Sequence, residues 1–417
     1  MKRVITLSLL TATLAFATNG DNMIGVGAES RAMGGTGIGM GMGTDSVFRN
    51  PAWVVDQKGF NASFGATAFM PDVSANIGGP NYAPGASSPV IGTGVSVGSD
   101  ADFSIIPTVS HSDHINENLS YGVGMFGVSG MGVDYRNKSD NFGLGNMRTS
   151  LQYMRFVPSL SYKIDDLRLG AGLTVAYGAL NMAAVTQSPT DGSMGQRSGG
   201  LSEDIGFGAQ LGLGYHVMPG VTVGAFYQTQ VDTEYDGVFD FNGDVGVTPT
   251  GAYESLKLSQ PAEAGIGFGY TSDCKCYSFT ADYRRIMWSD ADGYDMFEWE
   301  DQDVYALGAS YNATDDLILR VGYNYAESPL HDKTFVGSPA FSSPMLAYFN
   351  TLGFPAYTDS HFTGGLSYQI SKSTGLDVAY VYAPEVEENL DGAFGPGTTL
   401  SATNEQNSIS VALNFKF

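Results

Sequence analysis

The sequence predicts an all-β fold: an antiparallel transmembrane β-barrel of about fourteen strands with an N-terminal plug, or hatch, inside its lumen. Three observations carry this expectation. The last thirteen residues, Glu405 to Phe417, alternate apolar and polar side chains and end on an aromatic residue. Tight turns alternate along the chain with connections of about 14 to 35 residues, a rhythm that a soluble sandwich has no reason to keep. A basic start followed by a short apolar run opens the chain, as in exported proteins.

In chain order, Lys2 and Arg3 precede an apolar run from Val4 to Phe16 that closes on small residues, so residues 1–17 read as a secretory signal peptide absent from the mature protein. Beyond it no stretch approaches the roughly 20 apolar residues of a membrane-spanning helix. The 55 glycines would break most long helices. A mean hydropathy of -0.06 is compatible with a barrel, because lipid-facing and lumen-facing residues cancel in the average. The expected location is the outer membrane of a Gram-negative bacterium.

Residues 18–59 are glycine-rich without alternation and are expected to form the hatch; residues 60–417 are expected to form the barrel. A barrel of this size is wide enough to need filling, whereas a disordered tail would leave the lumen open. Strands are expected near 60–70, 101–111, 118–128, 153–164, 166–180, 205–217, 220–231, 261–272, 275–287, 302–313, 315–327, 360–371, 373–383 and 405–417. Short connections such as Asp165-Asp166 and Met218-Pro219 point both chain ends to the periplasm. On the segment 205–217, Ile205, Phe207, Leu211 and Leu213 share one face, against Gly206, Gly208, Gln210 and Gly212 on the other. Tyr153, Tyr162, Tyr177, Tyr270, Tyr283, Tyr311, Tyr368 and Tyr382 fall near strand ends, as in interfacial girdles, though tyrosine is also a good strand residue. In the closing strand Ile409, Val411, Leu413, Phe415 and Phe417 face lipid, and the terminal phenylalanine is similar to the signal read by the barrel assembly machinery.

A net charge of -23 argues against nucleic acid as a partner. Cys274 and Cys276 are too few for a disulfide framework and complete no zinc site; reduced thiols and a local redox pair both stay open. The acidic run from Asp290 to Asp303 lacks the spacing of a calcium loop and reads as a solvated external loop. No nucleophile elbow, metalloprotease helix or phosphate-cradling loop occurs, so neither an enzyme nor a cofactor or metal is expected.

Parity places Arg155, Arg284, Arg320, Asp282, Asp377, Glu263 and His361 in the lumen. The arginines suit a ligand carboxylate, and equally suit structural pairing with carboxylates of the wall or the hatch. The loop from Ser328 to Ser360 holds Phe335, Phe341, Phe349 and Phe354, which either line an outer hydrophobic site or cap the barrel with a small core.

The segment Gly25 to Val54, GVGAESRAMGGTGIGMGMGTDSVFRNPAWV, resembles the N-terminal hatch of the long-chain fatty acid transporter (FadL-type) family, ending on Asn50-Pro51-Ala52. The resemblance continues in the fourteen-strand pattern, in Ala281 to Asp290 and in Phe354 to Tyr368. It implies a hatch that closes the lumen, hydrophobic substrates held first near the external loops and then beside the hatch, and sideways release into the membrane at an inward kink of the third strand. Here the third strand carries Gly127 and Gly130, which suit such a kink, although glycine is frequent in the other strands too. The family's basic ligand residues do not map one by one onto this chain, so fatty acids and aromatic hydrocarbons both remain candidates. The expected protein is a monomeric passive transporter of hydrophobic small molecules in contact with outer-membrane lipid. The alternatives are a porin-like channel for polar solutes and an adhesin or structural barrel.

Overall fold

The computed structural model describes residues 18–80, 91–136, 147–187, 194–239, 254–330, 344–390, 397 and 399–417. Fourteen antiparallel strands pair in chain order: β1 (Asn61–Pro80), β2 (Ser104–His114), β3 (Leu119–Asp134), β4 (Arg148–Ile164), β5 (Leu167–Gln187), β6 (Met194–Met218) and β7 (Val221–Gln228) form one half. The other half is β8 (Glu263–Thr271), β9 (Tyr277–Ile286), β10 (Gln302–Asn312), β11 (Leu317–Ala326), β12 (Ser360–Ser371), β13 (Thr374–Asn389) and β14 (Thr399–Lys416). β14 pairs back onto β1 with Phe415 opposite Ala62, and Phe60 and Phe417 exchange backbone hydrogen bonds of 3.2 and 2.9 Å. The ring is therefore closed by pairing of its last strand with its first.

The alternation sorts as expected within the lipid band. On β6, Phe207 is 71% exposed and Gln210 only 3%. Cys274 and Cys276 lie in the tight turn between β8 and β9 and are joined as a disulfide. Two features escape the alternation. β5 and β6 run well past the expected ends, and the outer part of β5 is covered where Leu180 and Met182 pack against Tyr235 and Val238. Tyr153 is no girdle residue, since it points inward and is fully buried. Beyond the barrel, Ile91–Gly98 pairs with the outer part of β1, and Glu234–Phe239 pairs with Glu254–Lys257.

Residues 18–59 fold inside the ring as short pieces: α1 (Ala28–Ala32), α2 (Ser46–Arg49), two 3-10 turns (Gly43–Asp45 and Pro51–Asp56), and the paired Thr18–Asn19 and Asn22–Met23. The segment meets inward-facing residues around the whole ring, from Phe69 on β1 to Ser408 on β14. This explains the glycines of β5 and β6. A Cβ at Gly170 would stand 2.3 Å from the Ala52 nitrogen, and one at Gly212 2.2 Å from Asn50 Oδ1. Glycine there makes room for the N-terminal backbone.

Candidate functional site

On the β8–β14 side the N-terminal segment is fixed by buried charge. Asp282 on β9 accepts the amides of Gly37, Ile38 and Gly39 at 2.7, 2.8 and 3.1 Å. Glu263 on β8 takes Arg284 at 2.7 Å and Arg49 of α2 at 3.2 Å. Arg320 on β11 binds Glu29 of α1 at 2.7 Å. Two of the three arginines read as lumenal from the sequence, Arg284 and Arg320, are thus ion-paired.

Asn50 is the joint of the 25–54 segment. Its Oδ1 accepts the Ala52 amide at 3.1 Å, while Nδ2 donates to the carbonyls of Ile38 and Leu213 at 2.9 and 3.1 Å. Pro51 starts a 3-10 turn with no amide to satisfy, and the Ala52 carbonyl accepts Ser161 Oγ at 2.7 Å. Each residue of Asn50-Pro51-Ala52 therefore has a separate task in seating the segment on β4–β6.

The β3 side differs. β3 pairs with β2 only as far as Phe126 opposite Thr108, and beyond that point its partner within the ring is β4 alone. A bulge at Val128 shifts the β3–β4 register between Gly127 and Ser129, with Gly127 and Gly130 on either side of it. From Phe126 onward every residue of β3 is buried, so the strand has left the lipid surface. There Asn22 pairs with Ser129, and the Gly130 amide donates to the Asp21 carbonyl at 3.1 Å. A side chain at Gly127 would meet Ile106 Cγ2 of β2 at 2.4 Å, so the close approach requires glycine. The wall is tied again further out, where the Asp100 amide donates to the Asp134 carbonyl at 2.8 Å.

Behind the bulge Val26, Val47, Phe48, Val54, Phe126, Val128, Tyr153 and Val157 form an apolar cluster. Arg155 enters it. Nη1 donates to Gln228 Oε1 at 2.8 Å, the guanidinium lies 5.9 Å from the ring centres of Phe48 and Tyr153, and Nε and Nη2 have no partner among the described residues. An apolar lining with one cation holding spare donors suits a hydrophobic molecule with a polar end.

The external side is closed by aromatic packing. Trp288 contacts Tyr294 and Trp299 at ring separations of 4.6 and 5.0 Å, and Phe349 of α3 (Pro344–Gly353) meets Phe354 at 5.4 Å. Phe349 and Phe354 belong to this cap, whereas Phe335 and Phe341 lie outside the described residues. In the acidic loop Asp290 and Asp295 are exposed while Tyr294, Phe297 and Trp299 between and beyond them are buried. Asp21 links the cap to β3: its carboxylate accepts Tyr294 Oη and Gln260 Nε2, and Gln260 Nε2 also donates to Ser129 Oγ at 3.1 Å. Burial pushes the Asp21 carboxyl up to about 6. His361, on β12, is fully buried in the lumen wall.

Sequence reasoning missed Asp21, Phe48, Phe126 and the Trp288–Trp299 cap. The aromatic spacing in the 288–299 loop was the available signal, and the acidic residues between those rings masked it. Asp21 and Phe48 gave none, since a segment without alternation offers no face assignment.

A family model described as outer membrane protein transport protein (OMPP1/FadL/TodX) matches residues 4–417. A 47 kDa outer membrane protein of Pasteurella multocida is 23% identical over 353 residues, 75% of this chain and 77% of that protein. Among solved structures, the toluene transporter TodX of P. putida aligns with a TM-score of 0.70 at 20% identity over 94% of this chain and 99% of that one. A Pseudomonas aeruginosa FadL homologue gives 0.70 at 17% identity over 95% and 100%. The toluene transporter TbuX of Ralstonia pickettii gives 0.65 at 20% identity over 94% and 99%.

Proposed function

Because the chain belongs to the OMPP1/FadL/TodX family of outer membrane transport proteins, we propose that this barrel passes its hydrophobic cargo sideways into the membrane at the bulged β3. The protein is an outer-membrane transporter of hydrophobic compounds. In the reading offered here cargo is first held by the external aromatic cap, moves to the apolar cluster at Phe48, Phe126 and Arg155, and leaves between β2 and β3. Residues 18–59 act as the hatch that seals the lumen, after removal of residues 1–17 and assembly by the barrel machinery. The working unit is a monomer.

The observation that carries this reading is the separation of β3 from β2 above Phe126 and Thr108, with the apolar cluster directly behind it. Physical chemistry favours such a route. Leaving water is worth about 0.8 kcal/mol per methylene, so an alkyl chain is delivered better into lipid than through a wet pore. Two of the similar structures are toluene transporters, which keeps monoaromatic hydrocarbons beside fatty acids as cargo. The spare donors of Arg155 favour cargo with a polar end.

The double substitution Gly127→Val and Gly130→Val tests the exit. Uptake of labelled oleate and toluene into cells should fall about tenfold or more while the barrel still migrates as the folded form, since a branched side chain at Gly127 would fill the approach of β3 to β2 and one at Gly130 would crowd the backbone at Asp21. Unchanged uptake in a folded barrel would end the lateral route. Single-channel recording tests the seal: the wild type should pass little ion current, and a large steady conductance would favour the porin-like alternative.

A further inference from the structure

Among the described residues Arg31, like Arg155, is a buried lumenal cation without an ion pair. Arg31, in α1, is fully buried; Nη1 donates to the Gly25 carbonyl at 3.3 Å and Nη2 to Ser408 Oγ at 2.5 Å, while Nε has no partner among the described residues. Its neighbours are neutral. Among the described residues no carboxylate forms an ion pair with it, in contrast to Arg49, Arg284 and Arg320. A guanidinium does not shed its proton in a protein, so this charge is present and uncompensated.

His361 on β12 lies within electrostatic reach of Arg31 and is equally buried; the backbone of Asn324 is near its ring, but among the described residues neither ring nitrogen has a well-aligned hydrogen-bond partner. The site is held rigidly. Ala28 and Ala32 seat α1 against Ala379 on β13 and Ala412 on β14, and the Gly34 amide donates to Thr363 Oγ1 of β12 at 3.0 Å. Arg31 Nε, without a partner among the described residues, and one N–H of the neighbouring imidazole are donors that suit a small anion beside this unpaired positive charge.

We propose that Arg31, His361 and Ser408 form a binding site for a carboxylate-sized monoanion between α1 and the β12–β14 wall. The surroundings say where such an anion comes from. Ser408 is the register partner of Phe69 on β1 and of Val381 on β13, and both pack with Met23, Ile24 and Ile106. That apolar strip reaches Ile106, the residue against which Gly127 of β3 rests. An amphiphile with its carboxylate on Arg31 would lay its chain along the strip toward the β2–β3 separation. A resident inorganic anion would satisfy the same donors. The site stands whichever source supplies it, and only the amphiphile source rests on the transport reading.

Two measurements on the full-length protein test this. Crystals of the wild type grown in bromide should show an anomalous peak at hydrogen-bonding distance from Arg31 and Ser408, which needs no variant. In detergent, dodecanoate and dodecanol binding should be compared for the wild type, Arg31→Gln, Arg31→Lys and His361→Phe. If cargo supplies the anion, dodecanoate displaces the bromide and Arg31→Gln weakens dodecanoate about tenfold or more, leaves dodecanol unchanged, and Arg31→Lys restores part of the loss. If the anion is resident, the bromide peak persists in dodecanoate and neither ligand distinguishes the variants. A site occupied by water alone, with no bromide and no carboxylate, overturns the proposal. Uptake that fails while bromide still binds would count against the transport route and not against the site.

Discussion

The two sides of the N-terminal segment are held by different chemistry. Toward β8–β12 it meets Glu263, Asp282 and Arg320, buried charges with charged or amide partners at 2.7 to 3.2 Å. Toward β3 and β4 it meets Phe126, Val128, Tyr153 and Val157, where dispersion and area burial dominate. Charge-assisted bonds fix a single geometry, because displacement leaves a desolvated charge behind. Apolar contacts tolerate sliding and accept another apolar molecule in their place. A passage that must open for cargo belongs on the second side, and the β2–β3 separation lies there.

Glu263→Gln should break this division most severely. It takes from Arg49 and Arg284 the carboxylate they share, and losing one partner of a buried pair costs about 3–5 kcal/mol. The expected result is a closed barrel with an unseated segment: fast amide exchange across Ile38 to Asn50, and a steady conductance absent from the wild type. Slow exchange and no current would mean that the apolar side alone holds the segment. Asp282→Asn ranks next. It keeps an acceptor for the Gly37–Gly39 amides but removes its charge, a loss of about 1–2 kcal/mol, read as faster exchange of those three amides alone. Asp21→Asn should do less, because the acceptor for Tyr294 and Gln260 is kept and only a charge already disfavoured by burial is lost. Exchange at Asn22 to Val26 should barely change. A large increase would show that charge also governs the β3 side.

The same contrast explains what the sequence made legible. Alternation is written wherever one face meets lipid, so the closing strand, the lipid band and the inward set of Arg155, Arg284, Arg320, Glu263 and Asp282 are readable by parity. Parity gives a side but no partner. It offered no means to tell that Arg284 and Arg320 are paired while Arg155 keeps spare donors, since Arg49 and Glu29 come from a segment without periodicity. The glycines were ambiguous for a related reason. Those of β5 and β6 yield to the backbone of Asn50–Ala52, whereas Gly127 yields to Ile106 on the neighbouring strand, and nothing local distinguishes the two uses. Beyond the lipid band covering elements replace lipid, so the end of β5 and the Trp288–Trp299 cap carry no alternating signal.

The smallest expected effect is a pH dependence, and it separates the two holding chemistries without altering a contact. Asp45 lies in the 3-10 turn at the periplasmic mouth, beside a cavity of about 520 Å³ that Asp315, Asp316 and Asp377 also line. Burial, followed by the nearby charges of Asp377 and Glu29, pushes its carboxyl up to about 7, against a hydrogen bond from Ser110 Oγ at 2.6 Å. A seated Asp45 therefore holds its proton at pH values where an unseated, hydrated one has lost it. Seating is favoured below about pH 4 and weakens as pH rises toward about 7, where the seated carboxyl also ionises. Amide exchange in Thr44 to Arg49 should then accelerate between about pH 4 and 7 and level off above that, after correction for the intrinsic rate, and Asp45→Asn should remove that slope. Exchange on the Glu263 side, read at Ile38, should not follow the same profile. Parallel profiles at both places would mean that the segment leaves the barrel as one body, and that the apolar side has no freedom of its own.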